Sequence, residues 1–96
     1  MLTQTKTDEV VLLQRLGDKL KYHRLEKGFT QENLSAVAGF SRSYYTEIET
    51  GKRNVSILNL NKISVALGIP LNILLDMEER TDRKQYKNSL QMNIFS

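Results

Sequence analysis

The chain has no cysteine and no tryptophan, and its 96 residues include one proline and one histidine. Without cysteine, neither a disulfide framework nor a thiolate metal site can form, and nothing calls for an oxidising compartment, so the cytoplasm is the expected location. One histidine, His23, cannot complete the usual tetrahedral site without thiolate partners, and packing or hydrogen bonding is its expected role. No apolar run approaches the roughly 18 residues that a membrane span needs. The start MLTQTKTDEVV has neither a basic leader nor an uninterrupted hydrophobic stretch, so no membrane partner is expected. Missing too are a nucleophile beside a base, metal-ligand spacing and a glycine-rich phosphate loop. The chain therefore reads as a binding protein and not as an enzyme, with no cofactor.

What is present suits one compact domain with tails, since a second independent core would need roughly 50 more residues. Hydrophobic residues at 40% and charged residues at 26% are ordinary for a folded domain. The formal charge of +3 is distributed unevenly, with nine Lys/Arg against five Asp/Glu from Val10 to Leu75 and four of each from Asp76 to Ser96. The basic excess thus lies in the body, which is consistent with a polyanionic partner.

Helix signals fill the body and no strand pattern interrupts them, so the expected class is all-α with five helices. Thr7, followed by Asp8 and Glu9, predicts a capped start to a first helix over 8–27, with Leu12, Leu16 and Leu20 on its inner stripe and Gly28 ending it. Thr30 caps a short helix over 31–38, whose predicted inward residues are Leu34, Val37 and Ala38. Gly39, Phe40 and Ser41 form a three-residue turn, and Ser41 caps a third helix over 42–50 with Tyr45 and Ile48 inward. Ser56 caps a fourth helix with Ile57, Leu60, Ile63 and Leu67 on one face, stopped by Gly68. Pro70 suits the first turn of a fifth, short helix over 71–75 that carries more large aliphatics than one buried face uses. Beyond it the chain is polar and charge-mixed, though Tyr86, Leu90 and Ile94 repeat every four residues and would line a weak helix.

The residues Thr30-Gln31-Glu32, Leu34, Ala38-Gly39, Ser41-Arg42, Tyr45, Ile48-Glu49, Gly51-Lys52-Arg53-Asn54 and Ala66-Leu67-Gly68 resemble the Cro and lambda-repressor-like (XRE-type) helix-turn-helix family. The resemblance runs from about Leu16 to Leu75. Within it, Ser-Arg-Ser-Tyr-Tyr-Thr-Glu-Ile-Glu followed by Gly-Lys-Arg-Asn-Val-Ser looks most like the controller proteins of restriction-modification systems. Ser35 departs from the alanine usual where the two helices cross, and His23 from the usual aliphatic residue. The resulting division is an N-terminal arm with the start of helix one over 1–10, a helix-turn-helix DNA-binding domain over 11–75 and a C-terminal tail over 76–96.

The resemblance implies a structural ion pair between Arg24 and Glu49, and a third helix that enters the major groove. Its outward residues, Arg42, Ser43, Tyr44, Thr46 and Glu47, are the candidate base readers. Arg42 leads because a guanidinium can donate two bonds to guanine O6 and N7. Glu47 suits cytosine N4 or the steering of a neighbouring arginine. Gln31, Lys52, Arg53 and Asn54 flank the reading helix and are the candidate phosphate contacts. One helix in one groove offers few base contacts, so a homodimer on half-sites about 34 Å apart is expected. Leu71, Ile73, Leu74 and Leu75 are its candidate interface, with some of them serving the monomer's own core. Double-stranded DNA and a second copy of the chain are the expected partners, and RNA polymerase is a further one if the protein activates. The competing reading is an antitoxin-type interaction module that holds a partner protein with its tail and uses DNA binding for autoregulation.

Overall fold

A computed structural model describes residues 6–77, with side chains from residue 8 onward. The predicted tail helix through Tyr86, Leu90 and Ile94 lies outside the described residues, as do residues 1–5 of the expected arm.

Five helices and no strand make up the described residues: α1 (Lys6–Glu26), α2 (Gln31–Ala38), α3 (Arg42–Glu49), α4 (Ile57–Leu67) and α5 (Leu71–Leu74). The start of α1 at Lys6 puts Thr7 inside the first turn, so Thr7 does not occupy the predicted capping position. The other three caps form as expected. Thr30 Oγ1 accepts from the Asn33 amide at 3.0 Å, Ser41 Oγ from Tyr44 at 3.1 Å and Ser56 Oγ from Asn59 at 3.1 Å. Each satisfies an amide that the first turn of a helix leaves without a partner.

The core joins Leu16 and Leu20 of α1, Leu34 and Ala38 of α2, Tyr45 and Ile48 of α3, Leu60, Ile63 and Leu67 of α4, and Leu74 of α5. α1 packs on α3 and α5, α2 lies against α3 and α4, and α4 carries α5. Three predicted core positions are instead exposed. Leu12 lies in the N-terminal turns of α1, where Val10 and Val11 are exposed as well. Val37 is 62% exposed because Ser35, not Val37, completes the buried arc of α2 with Leu34 and Ala38. Ile57 is in register with the buried arc of α4 but sits in its exposed first turn. An apolar residue counted on a helical stripe is buried only where another helix covers that turn.

Two glycines set the helix junctions that matter for the site. Gly39 ends α2 at φ 86°, a left-handed conformation that costs side-chain-bearing residues energy, and so turns the chain into Ser41 and α3. Gly51, at φ 77°, lies so close to α1 that a Cβ there would be 2.9 Å from Gln14 Cγ. The end of α3 is therefore pressed onto α1.

His23 is half-buried, its Nε2 has no hydrogen-bond partner among the described residues, and its ring meets Tyr22 edge-on at 5.2 Å. Burial, together with the charge of Lys19, lowers its pKa below the ordinary value of 6.5.

Candidate nucleic-acid interface

Helix α3 is anchored from below by a buried polar network. Arg24 Nε donates to Glu49 Oε2 at 2.8 Å and its NH2 to Glu49 Oε1 at 2.9 Å, a two-pronged pair whose side chains are 8% and 2% exposed. The Arg24 NH1 donates to the Phe29 carbonyl at 2.8 Å, which ties the pair to the loop before α2. Gln31 extends the network upward: its Nε2 donates to Glu49 Oε1 at 2.9 Å while its Oε1 accepts from Thr46 Oγ1 at 3.1 Å. Burial alone pushes the Glu49 carboxyl up. The hydrogen bonds from Arg24 and Gln31, the Tyr45 hydroxyl beside it and the charge of Arg24 together outweigh that effect, and the net shift is downward. Burial and the Glu49 charge hold the Tyr45 phenol far above its ordinary range.

Above this network the predicted readers divide. Arg42 and Ser43 are exposed at the N-terminal end of α3, and neither side chain has a hydrogen bond or ion pair to another described residue. Lys52 and Asn54, beyond the other end of the helix, are exposed in the same way. Tyr44 is half-buried: its ring packs edge-on against Phe40 at 5.0 Å, and its hydroxyl accepts from Asn59 Nδ2 at 2.9 Å. Thr46 is also half-buried and is spent on Gln31. Glu47 takes two donors from Arg53, Nε at 3.0 Å and NH2 at 2.5 Å, both on Oε1. The Arg53 guanidinium in turn lies 5.1 Å from the centre of the Tyr44 ring.

Tyr44 therefore joins α3 to α4 as well as bordering the exposed edge. Replacing Tyr44 with Phe removes the Asn59 bond and keeps the ring packing, for an expected loss of about 0.5 to 1.5 kcal/mol in urea denaturation. An unchanged denaturation midpoint would show that the bond does not hold α4 to α3.

Of the predicted interface residues, Ile73 and Leu75 are each 40% exposed and Leu71 is half-buried against the core. Leu74 is a correction. It is fully buried in the core, because the single turn of α5 must give its inward aliphatic to α1 and α4.

Asn59 and Gly17 escaped the sequence reading. Asn59 looks like an ordinary polar residue in the first turn of α4, and nothing in its local pattern announces Tyr44. Gly17 did carry a signal: glycine in a helix interior costs about 1 kcal/mol relative to alanine, which suggests a close approach by another backbone.

The order of these helices, the turn between α2 and α3 and the exposed N-terminal edge of α3 coincide with a Helix-turn-helix family model that matches residues 20–74. The chain belongs to this helix-turn-helix family. Among its relatives, the Control protein C.MunI of Mycoplasma sp is 49% identical over 67 residues, covering 69% of this chain and 90% of that protein. The Control protein C.BamHI of Bacillus amyloliquefaciens is 42% identical over 71 residues, 73% of this chain and 85% of the relative. The crystal structure of the restriction-modification controller protein C.AhdI from Aeromonas hydrophila superposes with a TM-score of 0.64 at 40% identity, covering 65% of this chain and 94% of that one. SinR, a master regulator for biofilm formation crystallised in complex with DNA, superposes with a TM-score of 0.61 at 37% identity over 64% of this chain and 98% of its own. As a helix-turn-helix protein, the chain has its family match over α2 to α4 entire, with Arg42, Ser43, Lys52, Arg53 and Asn54 inside it.

Proposed function

We propose that this protein is a sequence-specific DNA-binding transcriptional regulator that acts as a cytoplasmic homodimer on two-fold symmetric operators, in the manner of a restriction-modification controller. The observation that carries the reading is the exposed first turn of α3, where Arg42 and Ser43 stand free of other described residues on a helix that Tyr45, Ile48 and Glu49 fix to the core. A rigid helix with an unengaged guanidinium at its N-terminal end suits bidentate reading of guanine in the major groove. Ser43 adds a hydroxyl for a base edge or phosphate, and Tyr44 keeps one face at the border of that edge. Thr46 and Gln31, bonded to each other, act on DNA through the position they give α3. Gln31 also retains an amide hydrogen for a phosphate. Lys52, Arg53 and Asn54 supply phosphate contacts on the far side.

The second copy meets the first through Ile73, Leu75 and the half-buried Leu71, and activation would bring RNA polymerase as a further partner. Nothing in this arrangement requires catalysis, and the chain reads as a binding protein.

Selection from random duplexes, read at two salt concentrations, tests the proposal. Symmetric half-sites spaced by about one helical turn are expected, with each neutralised phosphate adding roughly 0.9 to the magnitude of the salt slope. Arg42→Ala should relax preference at one base position in each half-site by about 1 to 3 kcal/mol. A wild-type chain that enriches no sequence, or an Arg42→Ala variant that selects the same sites as strongly, sinks the reading.

A further inference from the structure

The outer rim of α3 carries an acidic residue where a DNA-binding surface ordinarily gains nothing from one. Glu47 and Arg53 are 41% and 48% exposed, and an ion pair that open to solvent contributes little to stability. Its geometry nevertheless constrains the arginine on two sides. Nε and NH2 converge on one carboxylate oxygen, and the guanidinium carbon lies over the Tyr44 ring. Tyr44 is itself held by Phe40 and Asn59. A guanidinium has five N–H donors, and Glu47 engages only the Nε side of the fork. The opposite edge, made by NH1 and the outer hydrogen of NH2, has no acceptor among the described residues.

We infer that Glu47 is a specificity-determining residue that acts through Arg53, holding the guanidinium over Tyr44 so that its free edge is presented in one orientation to a DNA phosphate or base. The inference rests on the DNA-binding reading above and deepens it. Arg53 unpaired would be a mobile cation that any phosphate attracts equally well. Paired, it is close to electrically neutral as a unit, which weakens indiscriminate attraction. Its preset fork loses little freedom on meeting an acceptor in the right place. Glu47 thus trades general affinity for discrimination, and it does so without touching DNA.

The test compares binding of the full chain to the duplex recovered by selection and to a scrambled duplex of equal composition, in a double-mutant cycle. Glu47→Gln removes a negative charge from the rim and should raise affinity for the scrambled duplex by about three- to ten-fold, with a smaller change on the selected one. The ratio of the two affinities then falls. Glu47→Asp keeps the charge but withdraws the carboxylate by one methylene, and it should lower the ratio too. In an Arg53→Ala background, Glu47→Gln should leave the ratio unchanged. A ratio that still falls there would mean that Glu47 discriminates without Arg53, as by reading a base itself, and would overturn the inference. So would an Asp variant with the wild-type ratio, since charge alone would then account for the effect. A wild-type chain that binds neither duplex overturns the functional reading as well, and is told apart by that result before any variant is made.

Discussion

Replacing Arg24 with Met is expected to cost about 3 to 5 kcal/mol of folding stability, a large part of what a domain of this size has. The substitution leaves the long side-chain stem but removes both prongs that meet Glu49, whose side chain is 2% exposed. Gln31 remains as a hydrogen-bond donor to one oxygen, yet the buried negative charge has lost its counter-ion. Adding Glu49→Leu to the Met variant should recover most of the loss, because a well-packed apolar pair often replaces a buried ion pair at little cost. Thermal melting and urea denaturation both read this. A loss below about 1 kcal/mol in Arg24→Met would show that the pair is wetter than its burial indicates.

The pH dependence supplies an independent reading. In the wild type the folded Glu49 carboxyl titrates below its ordinary value of 4.5. Its contribution is therefore fully present above that value and is lost as pH falls through the lower, folded one. In Arg24→Met, burial is no longer outweighed and the folded pKa rises above the unfolded one. The sign then inverts: the variant is least handicapped in acid, and its deficit grows as pH rises through the raised value. Between mildly acidic and neutral pH the variant is expected to lose stability as pH rises while the wild-type Glu49 contribution stays flat, its own loss being confined to pH below 4.5.

The second large effect is expected at Gly17. Alanine is the better helix former by up to about 1 kcal/mol, so on local grounds Gly17→Ala should stabilise α1. Its Cβ would lie 2.2 Å from the Glu49 carbonyl oxygen, 2.7 Å from that carbonyl carbon and 3.0 Å from the Ile48 oxygen. These are backbone atoms of α3 and cannot rotate aside, so α1 and α3 have to separate. The expected result is a net loss of about 3 kcal/mol, at the upper end of what overpacking costs. Separation would also tilt the reading helix, so operator affinity should fall by more than the unfolded fraction explains. A Gly17→Ala protein with a higher denaturation midpoint and wild-type DNA affinity would mean that the close approach is relaxed in solution.

Both predictions concern the underside of α3, and there the sequence was only partly legible. The Arg24–Glu49 pair came from family resemblance, since nothing in the composition or periodicity joins residues 25 positions apart. Helices α2 to α5 were read to within a residue or two because their signals are local: Thr30, Ser41 and Ser56 before apolar periods, Gly39 and Gly68 after them. Leu12 and Ile57 misled the reading because a stripe records which side of a helix is apolar, not which turns a neighbour covers, and Val37 because the inner side of α2 is completed by the polar Ser35.

Among the outward residues of α3 the same limit applies. The sequence reading left Arg42, Ser43, Tyr44, Thr46 and Glu47 as one equivalent set once Tyr45 and Ile48 were assigned inward. The fold separated them according to what approaches: solvent at Arg42 and Ser43, α4 at Tyr44, the first residue of α2 at Thr46 and the following loop at Glu47. The sequence by itself determined the helices, their order and the turn that sets α2 against α3, because capping, helix termination and apolar periodicity act within a few residues of chain. Only the tertiary structure decided which outward side chains stay free, because that depends on groups 6 to 15 residues away whose approach no local rule encodes.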